Sequence, residues 1–170
     1  MQTYGPTTVW LMTVWRLELK KNPATVNNDS IKDVPPADEH IVLTNDVRQT
    51  ALLGKWVESV CEKLDSDPAR LFNIQLALEE SVANIMLYAY PGQTDCEIAL
   101  TAKKGNDGSL RFTIEDEGIP FDPTRQAPPD LAVPTMEREV GGLGIFLIRE
   151  LSRSITYRRV NGKNVLEIVF

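Results

Sequence analysis

Leu76-Ala-Leu-Glu-Glu-Ser-Val-Ala-Asn-Ile-Met-Leu-Tyr-Ala-Tyr-Pro-Gly92 reads as the second half of an amphipathic helix that Pro91-Gly92 brings to a stop. On a wheel of about 100° per residue, Leu71, Ile74, Leu78, Val82, Ile85 and Ala89 share one broad arc, the expected core face. Glu80 and Asn84 lie nearly opposite, and residues four apart on a helix are surface neighbours. An ordinary wet face would surround them with Lys, Glu or Gln. Here the flanking residues are Leu76, Ala77 and Leu87. Glu80 and Asn84 are therefore expected to enter a partly apolar pocket, whereas Glu79 falls off the stripe and reads as ordinary surface.

The elements around this helix follow from periodicity and turn chemistry. Upstream, Ile41–Leu43 is a short strand. Asn45 or Asp46 caps a helix to about Leu64, with Val47, Leu52 or Leu53, Trp56, Val60 and Leu64 at helical spacing. Asp65-Ser-Asp-Pro68 breaks that helix and starts the next, which runs to about Tyr90. Downstream, Glu97–Ala102 and Leu110–Asp116 alternate as strands joined through Gly105-Asn-Asp-Gly108. The Pro-rich stretch from Ile119 to about Val140 is too long for a simple connection and is expected to be a hinged lid. A short helix spans Gly142 to about Arg153. Ser154–Val160 and Val165–Phe170 form a hairpin across Asn161-Gly162.

This order predicts an α+β fold: a two-layer sandwich with helices packed on one face of a mixed, mostly antiparallel sheet. Leu110, Phe112, Ile114, Leu166, Ile168 and Phe170 would point toward the helices. Residues 1–39 differ in character. Trp15, Leu17 and Leu19 alternate with charged residues as in a strand, and Asn22-Pro23 to Pro35-Pro36 has linker composition. They read as an N-terminal extension and linker, leaving 40–170 as the folded domain.

The net charge of −6 over 170 residues argues against a nucleic-acid or anionic-membrane surface. Cys61 and Cys96 are far apart and accompanied by the single histidine, His40, which leaves no zinc cluster and little support for a disulfide scaffold. Reduced thiols in a cytoplasmic protein are expected. No apolar run approaches the length of a membrane span. The Val9–Trp15 run lacks a preceding basic region and an obvious cleavage site, so a secretory signal is not expected.

Three motifs carry chemistry. The Asn84 carbonyl is a neutral oxygen ligand suited to Mg²⁺ with its retained waters, and the Glu80 carboxylate one turn earlier can accept a proton from an attacking hydroxyl. Asp116 ends a strand and enters Glu-Gly-Ile-Pro. That is common Asp-x-Gly turn chemistry, or else a carboxylate accepting from an adenine amino group, with Gly118 admitting the base close to the backbone. Gly141-Gly142-Leu143-Gly144 opens a helix, where free N–H groups and the helix dipole favour an anion. The glycines match neither a Rossmann nor a P-loop fingerprint. Together, in this order, the motifs read as a nucleotide-and-magnesium site.

These residues resemble the ATPase superfamily of histidine kinases, gyrase, Hsp-type chaperones and mismatch-repair ATPases. Within it, they are most similar to the bacterial anti-sigma factor serine/threonine kinases. Glu80-Ser-Val-Ala-Asn84 with Tyr88-Ala-Tyr90 resembles that family's first box. Asp116-Glu-Gly-Ile-Pro-Phe-Asp-Pro123 resembles its adenine box. Gly141-Gly-Leu-Gly-Ile-Phe-Leu-Ile-Arg149, with Tyr157-Arg-Arg and Asn164-Val-Leu, resembles its third box and closing hairpin. The resemblance spans about 40–170 and implies a histidine-kinase-like ATPase fold. It implies Glu80 as general base, Asn84 as the Mg²⁺ ligand and Asp116 as the adenine contact, with Gly118, Gly141, Gly142, Leu143 and Gly144 around ATP. It further implies phosphorylation of an anti-anti-sigma protein, a sigma factor as competing partner, and a homodimer. The alternative is a non-catalytic regulatory module that uses ATP only to set its shape. Two positions depart from the family pattern: Tyr88, where His is frequent, and Val140, where some members place an Arg for the γ-phosphate. Arg138 is the nearest candidate for that task.

Overall fold

The computed structural model describes residues 38–64, 66–127 and 142–170. Strand β1 (Glu39–Thr44) leads into a 3-10 turn, Val47–Gln49, and helix α1 (Thr50–Lys63). Helix α2 (Pro68–Asn84) continues as a π-helical segment, Ile85–Ala89. Strands β2 (Glu97–Lys104) and β3 (Leu110–Asp116) follow, then a 3-10 turn at Pro123–Arg125, helix α3 (Gly142–Leu151), and strands β4 (Ser154–Val160) and β5 (Lys163–Val169). The sheet order is β1-β2-β3-β5-β4, and every pairing is antiparallel. The architecture is the expected two-layer sandwich, its sheet antiparallel throughout.

Local chemistry sets the element ends. Asp67 caps α2 by accepting from Ala69 N at 2.9 Å, and Pro68 occupies the first turn, where its missing N–H costs nothing. Asp46 caps as expected, but it accepts from Arg48 N and starts the 3-10 turn rather than α1. Val47, expected on the core arc, is consequently left exposed. The β4–β5 turn places Asn161 at φ 52° and Gly162 at φ 83°, the paired left-handed conformation that a two-residue hairpin requires.

The core lies between the sheet and the three helices. Leu53, Val57 and Val60 of α1, with Ile74, Leu78 and Val82 of α2, are sealed against Ile98, Leu100, Phe112, Ile114 and Ile168. Phe112 sits at its centre, edge-on to Trp56 at 6.1 Å and to Phe170 at 5.9 Å. All six strand residues expected to face the helices are buried. Among the described residues, no helix is long and apolar enough to cross a membrane. Residues 1–37, and with them the strand expected around Trp15, Leu17 and Leu19 and the linker, lie outside the described residues. So does most of the expected lid, 128–141.

Candidate functional site

The C-terminal half of α2 is where the motifs converge. Glu80 and Asn84 lie one turn apart on it, both partly buried, and neither head group has a hydrogen-bond partner among the described residues. Burial pushes the Glu80 carboxyl above its ordinary pKa, and the Glu79 charge adds to the effect. Glu79 is thus more than ordinary surface. It is half-buried, with its Oε1 toward Gly54 of α1.

Helix α3 meets Glu80 at Gly144. A Cβ at Gly144 would run into the Glu80 Oε2 atom, so a glycine here is what lets the carboxylate lie against the first turn of α3. Gly142 and Leu143 open that same turn. Gly141 and Arg138 lie outside the described residues. Tyr88 is exposed on the π-helical segment beyond Asn84. The sequence pattern predicted one helix through to Tyr90; the structure instead widens the last turns, a distortion often found at functional sites.

The third motif joins the same end of α2. Ile119 N donates to Ala89 O at 2.9 Å, and a Cβ at Gly118 would overlap Ala89. The room that Gly118 leaves is therefore taken up by the end of the π-helical segment. Asp116 is buried, 5% exposed, at the tip of β3. Its Oδ1 accepts from Gly118 N and from Asn164 Nδ2, each at 2.8 Å. The first of these is the Asx turn expected of Asp-x-Gly. Tyr90 braces the turn from behind, its hydroxyl accepting from Glu117 N at 2.7 Å and donating to Glu97 O at 3.2 Å.

Sequence reasoning assigned no role to Asn164, Tyr157, Arg159 or Tyr90. Asn164 stands opposite Asp116 in the β3–β5 register. Beyond its place in the Asn164-Val-Leu motif, its sequence signal is a polar residue just ahead of the apolar Val165-Leu166 pair. Arg149 was also passed over: Nη1 donates to Gln126 O and Nη2 to Pro123 O, each at 2.8 Å, tying the root of the expected lid to α3.

The donor set suits a magnesium nucleotide. It offers a neutral amide oxygen and a carboxylate against a glycine-opened helix, both unengaged among the described residues, and a buried acceptor at a strand tip.

Known proteins are similar to this chain in sequence and in fold. The sequence family described as histidine kinase-like ATPase domain matches residues 43–170. The serine/threonine-protein kinase BtrW of Bordetella bronchiseptica is 30% identical over 114 residues, 66% of this chain and 79% of that protein. The anti-sigma F factor of Priestia megaterium is 25% identical over 99 residues, 58% of this chain and 67% of that protein. A crystal structure of the RsbU and RsbW domains of a Mycobacterium tuberculosis protein shares the fold, with a TM-score of 0.57 at 15% identity over 79% of this chain. This chain spans 32% of that larger one.

Proposed function

Because the chain belongs to the histidine kinase-like ATPase family, we propose that it is an ATP-dependent anti-sigma factor serine/threonine kinase that phosphorylates an anti-anti-sigma protein. The kinase relative supports the transfer activity, and the anti-sigma relative supports a sigma factor as the competing partner. In this reading the protein works in the cytoplasm as a homodimer and regulates transcription by choosing between the two partners.

The observation that carries the proposal is the convergence of Glu80, Asn84, Gly144 and the Asp116–Gly118 turn on one end of α2. The Glu80 carboxylate takes the proton from the partner's serine or threonine hydroxyl. That oxygen forms the new bond to the γ-phosphorus, the bond to the β–γ bridging oxygen breaks, and ADP leaves. A base whose pKa is raised by burial grips that proton more strongly than a solvated carboxylate does. Asn84 would hold Mg²⁺, which when bound supplies positive charge at the phosphates. Backbone N–H groups of the Gly142–Gly144 turn face the phosphates, Asp116 accepts from the adenine amino group, and Arg138 meets the γ-phosphate.

Calorimetry with Mg-ATP and transfer assays with [γ-³²P]ATP test this together. Wild type should bind. Asn84→Ala should weaken binding by about tenfold or more, since losing even an outer-shell partner of a metal typically costs roughly 10–100-fold. Glu80→Gln should bind ATP nearly as wild type does and transfer nothing. Transfer by Glu80→Gln at the wild-type rate would remove the base, and wild-type affinity in Asn84→Ala would remove the metal ligand. Binding by wild type without transfer to the anti-anti-sigma protein would leave the non-catalytic module as the better reading.

A further inference from the structure

The side chain of Asn164 is a hub. Its Oδ1 accepts from Tyr157 Oη at 2.8 Å and from Arg159 Nη1 at 2.6 Å, while its Nδ2 donates to Asp116 Oδ1 at 2.8 Å. Nδ2 also lies 3.2 Å from Ile119 O and 3.4 Å from Gly118 O, and Arg159 Nη1 reaches Gly118 O at 3.1 Å. Asn164 is 6% exposed, so each end of its amide must be matched by protein partners.

An amide side chain has nearly the same shape in its two flipped states, and only its partners decide between them. A tyrosine hydroxyl tolerates either end, because it donates and accepts. A guanidinium has five donors and no acceptor. Arg159 therefore admits only the oxygen of Asn164 on its side and directs the NH₂ group to Asp116. With Gly118 N and Asn164 Nδ2 both on Oδ1, the two lone pairs of that oxygen are used. The acceptor capacity of Asp116 that remains is on Oδ2, and an ionised carboxylate has no proton to donate.

The geometry points to Arg159, acting through Asn164, as a positioning residue that sets base selectivity: it fixes Asp116 as a one-sided acceptor that reads the 6-amino group of adenine. The inference rests on the adenine contact proposed above for Asp116. Without Arg159 the Asn164 oxygen loses its charged donor, and the amide is no longer anchored with its NH₂ group against the carboxylate. The Asn164–Asp116 bond then loosens, and Asp116 no longer holds one oxygen toward the base.

The test compares the affinities of ATP and purine riboside 5′-triphosphate, which lacks only the 6-amino group. Wild type should prefer ATP by about tenfold or more, the worth of a hydrogen bond to a charged acceptor. In Tyr157→Phe/Arg159→Ala the preference should shrink to about threefold or less through loss of ATP affinity alone. Arg159→Ala by itself, changing one exposed side chain of β4, carries the same comparison should the double variant fail to fold. An unchanged ratio in a folded variant, whether both affinities fall or neither does, overturns the inference and leaves the Asp116 contact standing. Absence of any preference in wild type overturns the Asp116 contact itself, and the inference with it.

Discussion

Replacing Gly144 with alanine separates the fold from the chemistry. The added Cβ meets the Glu80 carboxylate end, while Glu80 Cδ and Cβ stand at 3.4 and 3.7 Å, which is ordinary contact. What obstructs the methyl group is the far end of a flexible side chain, so the helices can stay in place. The carboxylate must withdraw by roughly 1 Å to restore a normal contact, and a reacting group misplaced by that much costs on the order of 100-fold in rate. That is about 2.7 kcal/mol in the transition state. Stability should move the other way, because alanine exceeds glycine in a helix by up to about 1 kcal/mol. Gly144→Ala is thus expected to keep or raise Tm, to bind ATP within a few-fold of wild type, and to transfer phosphate about a hundredfold more slowly. Thermal melts, calorimetry and single-turnover transfer to the anti-anti-sigma protein read the three quantities. A variant that transfers at the wild-type rate would refute the link between the Gly144 contact and catalysis. One that melts several degrees lower would show that the α2–α3 packing yields instead of the carboxylate.

Two other perturbations follow from the same structure. Glu80 ionises in the fold only above its ordinary value of 4.5, so the native state binds more protons than the unfolded chain between those two pKa values, and stability falls as pH rises through that window. Glu80→Gln should therefore be more stable than wild type at pH 8 and no more stable at pH 4; denaturant titrations showing an equal difference at both pH values would contradict the burial argument. Phe112→Ala should lose about 3–5 kcal/mol, because a fully buried ring contacting both Trp56 and Phe170 leaves a cavity that neither can fill. A midpoint shift worth less than about 1 kcal/mol would show the core relaxing around the gap.

The sequence made most elements legible because their signals are local. Strand β3 ends at Asp116 and β4 spans Ser154–Val160 as the alternation predicts, and Asn161-Gly162 makes the turn that its composition demands. On α2 and its π-helical continuation the apolar arc placed Ile74, Leu78, Val82 and Ala89 in the core. The π-helical widening after Asn84 was not legible, since its residues carry the same apolar pattern as a continuing α-helix. Nor was the partnership of Asp116 with Asn164, which depends on a strand register across 48 positions of chain. The reason for Gly144 was hidden for the same cause: its neighbour is a carboxylate on another helix. Motif order located the candidate site residues, whereas tertiary packing decided which atoms face one another.

The pairing of β3 with β5 also bears on how the domain assembles. The hairpins β2–β3 and β4–β5 each close over short connections, but Asp116 meets Asn164 only when those two pieces join across the long intervening chain. Loop closure of that length is among the slower and costlier events of folding. A half-made chain can therefore hold the β2–β3 hairpin without possessing the Asp116–Asn164 pair. Any small molecule that grips both strands acts as a staple on the completed sheet, adding its binding free energy to the cooperative unfolding of the whole domain rather than to one hairpin.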